Sequence, residues 1–247
     1  MDNSKKLLIH SIQQKNDVKN DEKNDEKNDD NDKKNKFSFI EKVIYINLEK
    51  RKDRRELIEK ELAIYFPPEK IIRFNAFYEN VGPVGCTKSH IGALEMAIEN
   101  NWSNCLIVED DIEWKKEPEF NNLYKILQNI LKNKYDVIVL NSYDSRTFYK
   151  TIYRLDCCRS TGAYICNSSY YKTLLDNFKE GLALLIDYRT KVPLHINNRY
   201  SLYNIDEYWQ RLQKKDKWYI VAPSLCIQRS GYSDCIKGMA NYRKNEF

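Results

Sequence analysis

No apolar run in this chain approaches the roughly 18 residues needed to cross a membrane. The densest, Leu182 to Ile186, has the length of a core segment. No integral membrane segment is therefore expected. No secretory leader is expected either, since the apolar stretch Leu7–Ile9 is short and stops at His10. A cytoplasmic location is the default expectation. The seven cysteines are odd in number and contain no CxxC pair. That disfavours a disulfide framework or a zinc ribbon and fits a reducing compartment. Excess charge of one sign is scarce too. A net charge of +5 over 247 residues is modest, and the 18 tyrosines are scattered through predicted strands and helices rather than set in a stacking module. No nucleic-acid partner is expected.

What is present is slightly wetter than an average globular chain, with 42% apolar and 31% charged residues. The surplus polarity sits at one end. Residues 1–36 hold nine Lys against nine Asp and Glu, a net of zero, so the +5 belongs to residues 37–247. From Lys15 the sequence repeats a four-residue unit: KNDV, KNDE, KNDE, KNDD. Such a segment buries too little to offset its chain entropy. Asn and Asp at half its positions oppose a helical rod. Residues 1–36 are read as a disordered, low-complexity charged tail, and residues 37–247 as one domain. A spacer or the slippage of a Lys/Asn-biased gene would each explain the repeat, and composition favours the second.

In residues 37–247 strand and helix patterns alternate. Val43–Leu48 is β-rich. Arg51–Tyr65 is an amphipathic helix that Pro67-Pro68 stops. Ile71–Asn75 is a short strand, and Thr87–Asn100 a helix with apolar residues at helical spacing. Cys105–Val108 is an apolar run ending in charge. Phe120–Lys132, Ser169–Phe178 and Ile205–Leu212 follow as helices. Val137–Leu140, Tyr164–Cys166 and Trp218–Val221 follow as strands. The alternation predicts an α/β fold, a mostly parallel central sheet with helices on both faces. Ligands in such sheets bind at the carboxyl ends of strands.

Three features lie at or near such ends. Leu106-Ile107-Val108-Glu109-Asp110-Asp111 delivers three consecutive carboxylates to the end of an apolar strand. Three like charges in a row repel and resist desolvation. They persist in solvent as an acidic turn, or around a hard cation such as Mg²⁺ or Mn²⁺. Their place directly after a buried strand leaves these two readings level. A cation held there would stabilise a nucleotide diphosphate as leaving group. Second, Tyr45–Leu48 runs into Glu49-Lys50-Arg51-Lys52-Asp53-Arg54-Arg55, which sets cations at a strand-to-helix junction. They form a solvated helix start or a diphosphate contact. Third, Gly85-Cys86-Thr87-Lys88-Ser89-His90 opens a helix. Thr87 or Ser89 suits a cap. His90 is either a donor-site hydrogen-bonder or a satisfied helix histidine, and Cys86 reads as a small buried residue.

Taken in this order, the three features resemble glycosyltransferase family 25. That is the family of bacterial lipooligosaccharide galactosyltransferases and collagen hydroxylysine galactosyltransferases. Thr161–Ile165, Ile205-Asp206, Gln228 with Ser230, and Tyr232-Ser233-Asp234 extend the resemblance over roughly residues 40–236. The long stretch Gly181 to Asn204 and the tail depart from it. The resemblance implies a GT-A-type nucleotide-diphospho-sugar transferase fold. It also implies a UDP-sugar donor, a divalent cation (Mn²⁺ or Mg²⁺), a glycan or protein acceptor, and inversion at the anomeric carbon. Carried over, Asp111 and then Glu109 would hold the metal, and Asp110 would bind ribose or sugar hydroxyls. Asn47, Leu48, Arg51 and Arg54 would line uridine and diphosphate, with Ser89 and His90 behind them. Asp206 is the expected general base, Glu207 the reserve, and Asp187 a third candidate. Asp206 suits a helix cap equally well. His195 and Gln228 are conceivable further metal ligands. Aromatics in the second half, Trp209 among them, suggest an acceptor groove. The competing reading is a non-catalytic binding or scaffold protein on the same fold, which intact acids and arginines oppose.

Overall fold

The computed structural model describes residues 32–142, 145–149, 153–191 and 202–242. The repeats and His195 lie outside the described residues. A helical turn at 32–36 leads into Phe37, which is buried.

The strands are β1 (Lys42–Asn47), β2 (Ile71–Asn75), β3 (Asn104–Glu109), β4 (Ile112–Trp114), β5 (Val137–Val139), β6 (Ser145–Tyr149), β7 (Arg154–Cys158), β8 (Ala163–Asn167), β9 (Trp218–Ile220), β10 (Cys226–Gln228), β11 (Gly231–Ser233) and β12 (Gly238–Ala240). The helices are α1 (Lys52–Ala63), α2 (Gly82–Glu99), α3 (Glu119–Ile130), α4 (Tyr171–Lys191), α5 (Ile205–Tyr208) and α6 (Gln210–Gln213). Eight strands form one sheet in the order β2-β1-β3-β8-β5-β9-β7-β6. β1 runs parallel to β2 and β3, and β5 parallel to β9. Only β8 and β7 are reversed, so six of the eight strands point one way. The expected mostly parallel α/β sheet is present.

Both faces of the sheet are covered, as its sequence requires. β1 alternates: Ile44 and Ile46 join a core with Leu94 of α2 and Phe178 of α4, while Val43 and Tyr45 join another with Ile58 of α1 and Leu127 of α3. Leu106, Ile107 and Val108 of β3 are fully buried. Each such side chain stabilises the fold by about 1.5–3 kcal/mol. This apolar spine fixes where the following acids emerge.

Three helix boundaries differ from expectation. α2 starts at Gly82 rather than Thr87, because Pro83 is tolerated in a first turn where its missing N–H costs nothing. Thr87 and Ser89 therefore do not cap it; their hydroxyls donate to Pro83 O and Gly85 O within the helix. α4 runs to Lys191 because Leu185 continues its buried stripe past Phe178. Gly181 inside it is needed for close approach: a Cβ there would lie 2.7 Å from the Tyr208 ring. The expected helix Ile205–Leu212 is two short pieces, α5 and α6.

Candidate active site

Register brings the site together. β1 and β3 pair Ile46 with Glu109, so the next residues, Asn47 and Asp110, emerge side by side. β8 pairs Ala163 with Val108 in the opposite sense, which brings Thr161 and Gly162 to the same edge. β4 pairs Ile112 with Gln228 of β10. The acids, Leu48, His90 of α2, Gln228 and Asp206 of α5 line one cleft of about 370 Å³.

Each acid has its own partners. Asp110 accepts from Arg54 Nη1 and from Asn47 Nδ2, both at 2.8 Å. Asp111 accepts from the same Arg54 nitrogen at 3.0 Å and from Gln228 Nε2 at 3.0 Å. Glu109 accepts from Thr161 Oγ1 at 2.8 Å and from Gln228 Nε2 at 3.1 Å. Burial, then the Glu109 charge, pushes the Asp111 carboxyl up to about 7. Burial also raises Asp110 against the pull of Arg54. Burial would raise Glu109 too, but His90, Thr161 and the Arg54 charge outweigh it and hold that carboxyl below its ordinary range. Two of the three carboxylates thus share one close guanidinium, whose charge also acts on Glu109. An oxygen of Glu109 and an oxygen of Asp111 converge on a single amide nitrogen. This donor set fits a hard divalent cation.

The expected nucleotide contacts fall in two layers. Leu48, Arg54, Ser89, His90 and Asp110 line the cleft. Asn47 and Arg51 stand behind it. Asn47 is 1% exposed and also donates to Arg51 O at 3.0 Å, so it braces Asp110 rather than meeting a ligand. Arg51 is held by Asp53 and by Asp234 at 2.8 Å. With Lys50 it ties the β11–β12 hairpin to the start of α1. Ser89 Oγ accepts from Phe77 N at 2.9 Å and so fixes the loop after β2. His90 is buried, with Nδ1 3.0 Å from Tyr164 Oη.

Asp206 is not the cap of α5; that position belongs to Asn204. Its Oδ2 instead accepts from Ser160 N at 3.3 Å, across the cleft wall. Burial, opposed by the Ser160 hydrogen bond and aided by the Glu207 charge, raises its pKa. Glu207 is tied to Arg159 at 2.6 Å and Gln210 at 2.9 Å. Asp187 is removed from the site: it lies exposed on α4, paired with Lys191 at 2.7 Å. Trp209 is corrected as well. It is fully buried between Tyr164 and Trp218 and donates to Cys158 O, so it is core and not an acceptor surface.

The turn 159–162 carries roles that sequence reading missed. Ser160 has φ 87°, a strained conformation for a residue with a side chain. Its hydroxyl donates to Asn141 Oδ1 at 2.7 Å. Gly162 must be glycine, since a Cβ would lie 2.5 Å from Asn141 Oδ1 and 3.1 Å from Gln228 Cδ. The strained turn and the glycine together let Gln228 reach the acids. Gly162 was visible in the sequence; its partner 66 residues away was not.

The family model for glycosyltransferase family 25 (LPS biosynthesis protein) matches residues 79–184. That span holds the Cys86–His90 turns of α2, the acids after β3 and the 159–162 turn. No curated protein matches the chain. Among solved structures, a glycosyltransferase involved in the glycosylation of the major capsid of PBCV-1 is similar at 12% identity. The match covers 72% of this chain and 80% of that one, with a TM-score of 0.42. Mouse xyloside xylosyltransferase 1 in its apo form is similar at 13% identity, over 72% of this chain and 71% of that one, with a TM-score of 0.36. A197 from STIV is similar at 12% identity, over 82% and 94%, with a TM-score of 0.38. The family match, with the acids set at the strand ends of an α/β sheet, supports a glycosyltransferase similar to family 25 over residues 79–184. No helix among the described residues is long and apolar enough to cross a membrane.

Proposed function

We propose that the protein is a metal-dependent, inverting hexosyltransferase. It moves galactose or glucose from a UDP-sugar to a hydroxyl of a glycan or protein acceptor, hydroxylysine included. The observation that supports this reading is the convergence of Glu109, Asp110 and Asp111 at one strand end, in the same cleft as Asp206. Asp111 and Glu109 would hold Mn²⁺ or Mg²⁺, which supplies positive charge to a departing diphosphate. Arg54, already fixed between Asp110 and Asp111, adds a guanidinium suited to phosphate oxygens. Asp110, braced by Asn47, offers an oxygen to ribose or sugar hydroxyls. Leu48 gives the base an apolar neighbour. Ser89 and His90 hold the wall behind.

Inversion needs a base on the face opposite the leaving group. Asp206 takes the acceptor hydroxyl proton as that oxygen bonds to the anomeric carbon. The bond from that carbon to the diphosphate breaks, and UDP leaves with the electron pair. Glu207, paired with Arg159, orients the start of α5 and is the reserve base. The test is UDP release from a panel of UDP-sugars, with Mn²⁺ or with chelator, for wild type and Asp111→Asn. Metal-dependent release from one sugar, lost in the variant, is expected. Release that ignores both chelator and substitution would overturn the reading.

A further inference from the structure

Cys86 and His90 stand one helical turn apart on α2 and face Glu109 at the end of β3. The Cys86 sulfur, a His90 ring nitrogen and a Glu109 carboxylate oxygen all lie within 4.8 Å of one another. His90 is 1% exposed. Its Nδ1 is engaged with Tyr164, which fixes the ring. Its Nε2 is buried without a hydrogen-bond partner and points at Glu109 Oε1, 3.5 Å away. A buried ring nitrogen with only this long contact to Glu109 is costly to keep. The transferase reading gives Cys86 no task.

We propose that Cys86 Sγ, His90 Nε2 and Glu109 Oε1 form a second metal site, for a borderline-soft divalent cation of the Zn²⁺ type. Thiolate with imidazole selects zinc over Mg²⁺ or Mn²⁺, which prefer all-oxygen sets. Zinc bonds of about 2.0–2.3 Å in a tetrahedron set ligand atoms roughly 3.3–3.8 Å apart. The His90–Glu109 pair already meets that span, and a small movement of Cys86 completes it. The Tyr164 contact supplies the outer hydrogen bond that orients a ligating histidine. Three protein ligands leave the fourth position facing the cleft. Glu109 belongs to both sites, so zinc here draws it away from Asp111 and inhibits transfer.

The test uses Co²⁺ as a coloured substitute for zinc, titrated into the metal-free full chain without nucleotide. Wild type should give a thiolate-to-cobalt charge-transfer band at one equivalent, removed by added Zn²⁺. Cys86→Ser should lose the band and bind Zn²⁺ at least tenfold more weakly, with its melting transition intact. Cys235 lines the same cleft, so Cys235→Ser is the control and should keep the band. If Cys86→Ser does not fold, His90→Gln decides, with at least a tenfold loss of Co²⁺ affinity expected. No thiolate band in wild type, a band that survives Cys86→Ser, a band lost in Cys235→Ser, or unchanged affinity in His90→Gln overturns the proposal. None of these readouts needs a UDP-sugar, so this site and the transferase reading fail separately.

Discussion

Asp206, the proposed base, is held between opposing influences. Burial lifts its pKa, Ser160 pulls it back through one hydrogen bond, and the Glu207 charge lifts it again. A raised folded pKa means the folded state holds a proton that the unfolded chain, near 3.9, has released. The contribution of Asp206 to stability is therefore fully present below about 3.9 and is lost as pH rises through the folded value. The proposed base works only when ionised, so activity should rise across that same window. Asp206→Asn should lower kcat by about 10²–10⁴-fold and remove the acid limb of the pH–rate profile. It should also melt higher than wild type at pH 8 and lose that advantage at pH 4. A variant that keeps the acid limb would assign the proton transfer elsewhere. In contrast, Glu207 is tied to Arg159, which is the arrangement of a positioning residue.

At the scale of elements, the site depends on the turn before β8. Gly162→Ala should push Asn141 and Gln228 aside and release the amide that joins Glu109 to Asp111. The expected result is a loss of about 1–3 kcal/mol in stability, as for other overpacked sites. Metal-dependent UDP release should fall further than that loss of folded protein explains; unaltered release per folded molecule would count against it. Much of this layer was legible in the sequence. β1 and β3 stand where their β-branched runs lie, and an apolar strand ending in three acids announced the cleft. Other parts were not legible, for physical reasons. Gly85 looked like the opening of a helix because glycine usually interrupts one, whereas here Pro83 starts α2 earlier. Asp206 looked as much like a cap as a base, since both roles place Asp at a helix start. Gln228 joins acids 117 and 119 residues away, and no local pattern encodes such a pairing.

The described residues form a central sheet between two cores, with the acids at one rim. The second core reaches back to the first described residues. Phe37 lies 5.1 Å from Phe66 and 5.5 Å from Trp114, ring centre to ring centre, and is 1% exposed. Phe37→Ala should cost about 3–5 kcal/mol, read as a lowered denaturation midpoint. A neutral outcome would move the domain boundary beyond residue 37. The role of the rim is tested most directly by calorimetric titration of UDP into wild type and Asp111→Asn, each with Mn²⁺ and with chelator. Metal-supported binding in wild type, at least tenfold weaker with chelator and in the variant, is the predicted result. Equal affinity under all four conditions would contradict a donor site built on the acids of β3.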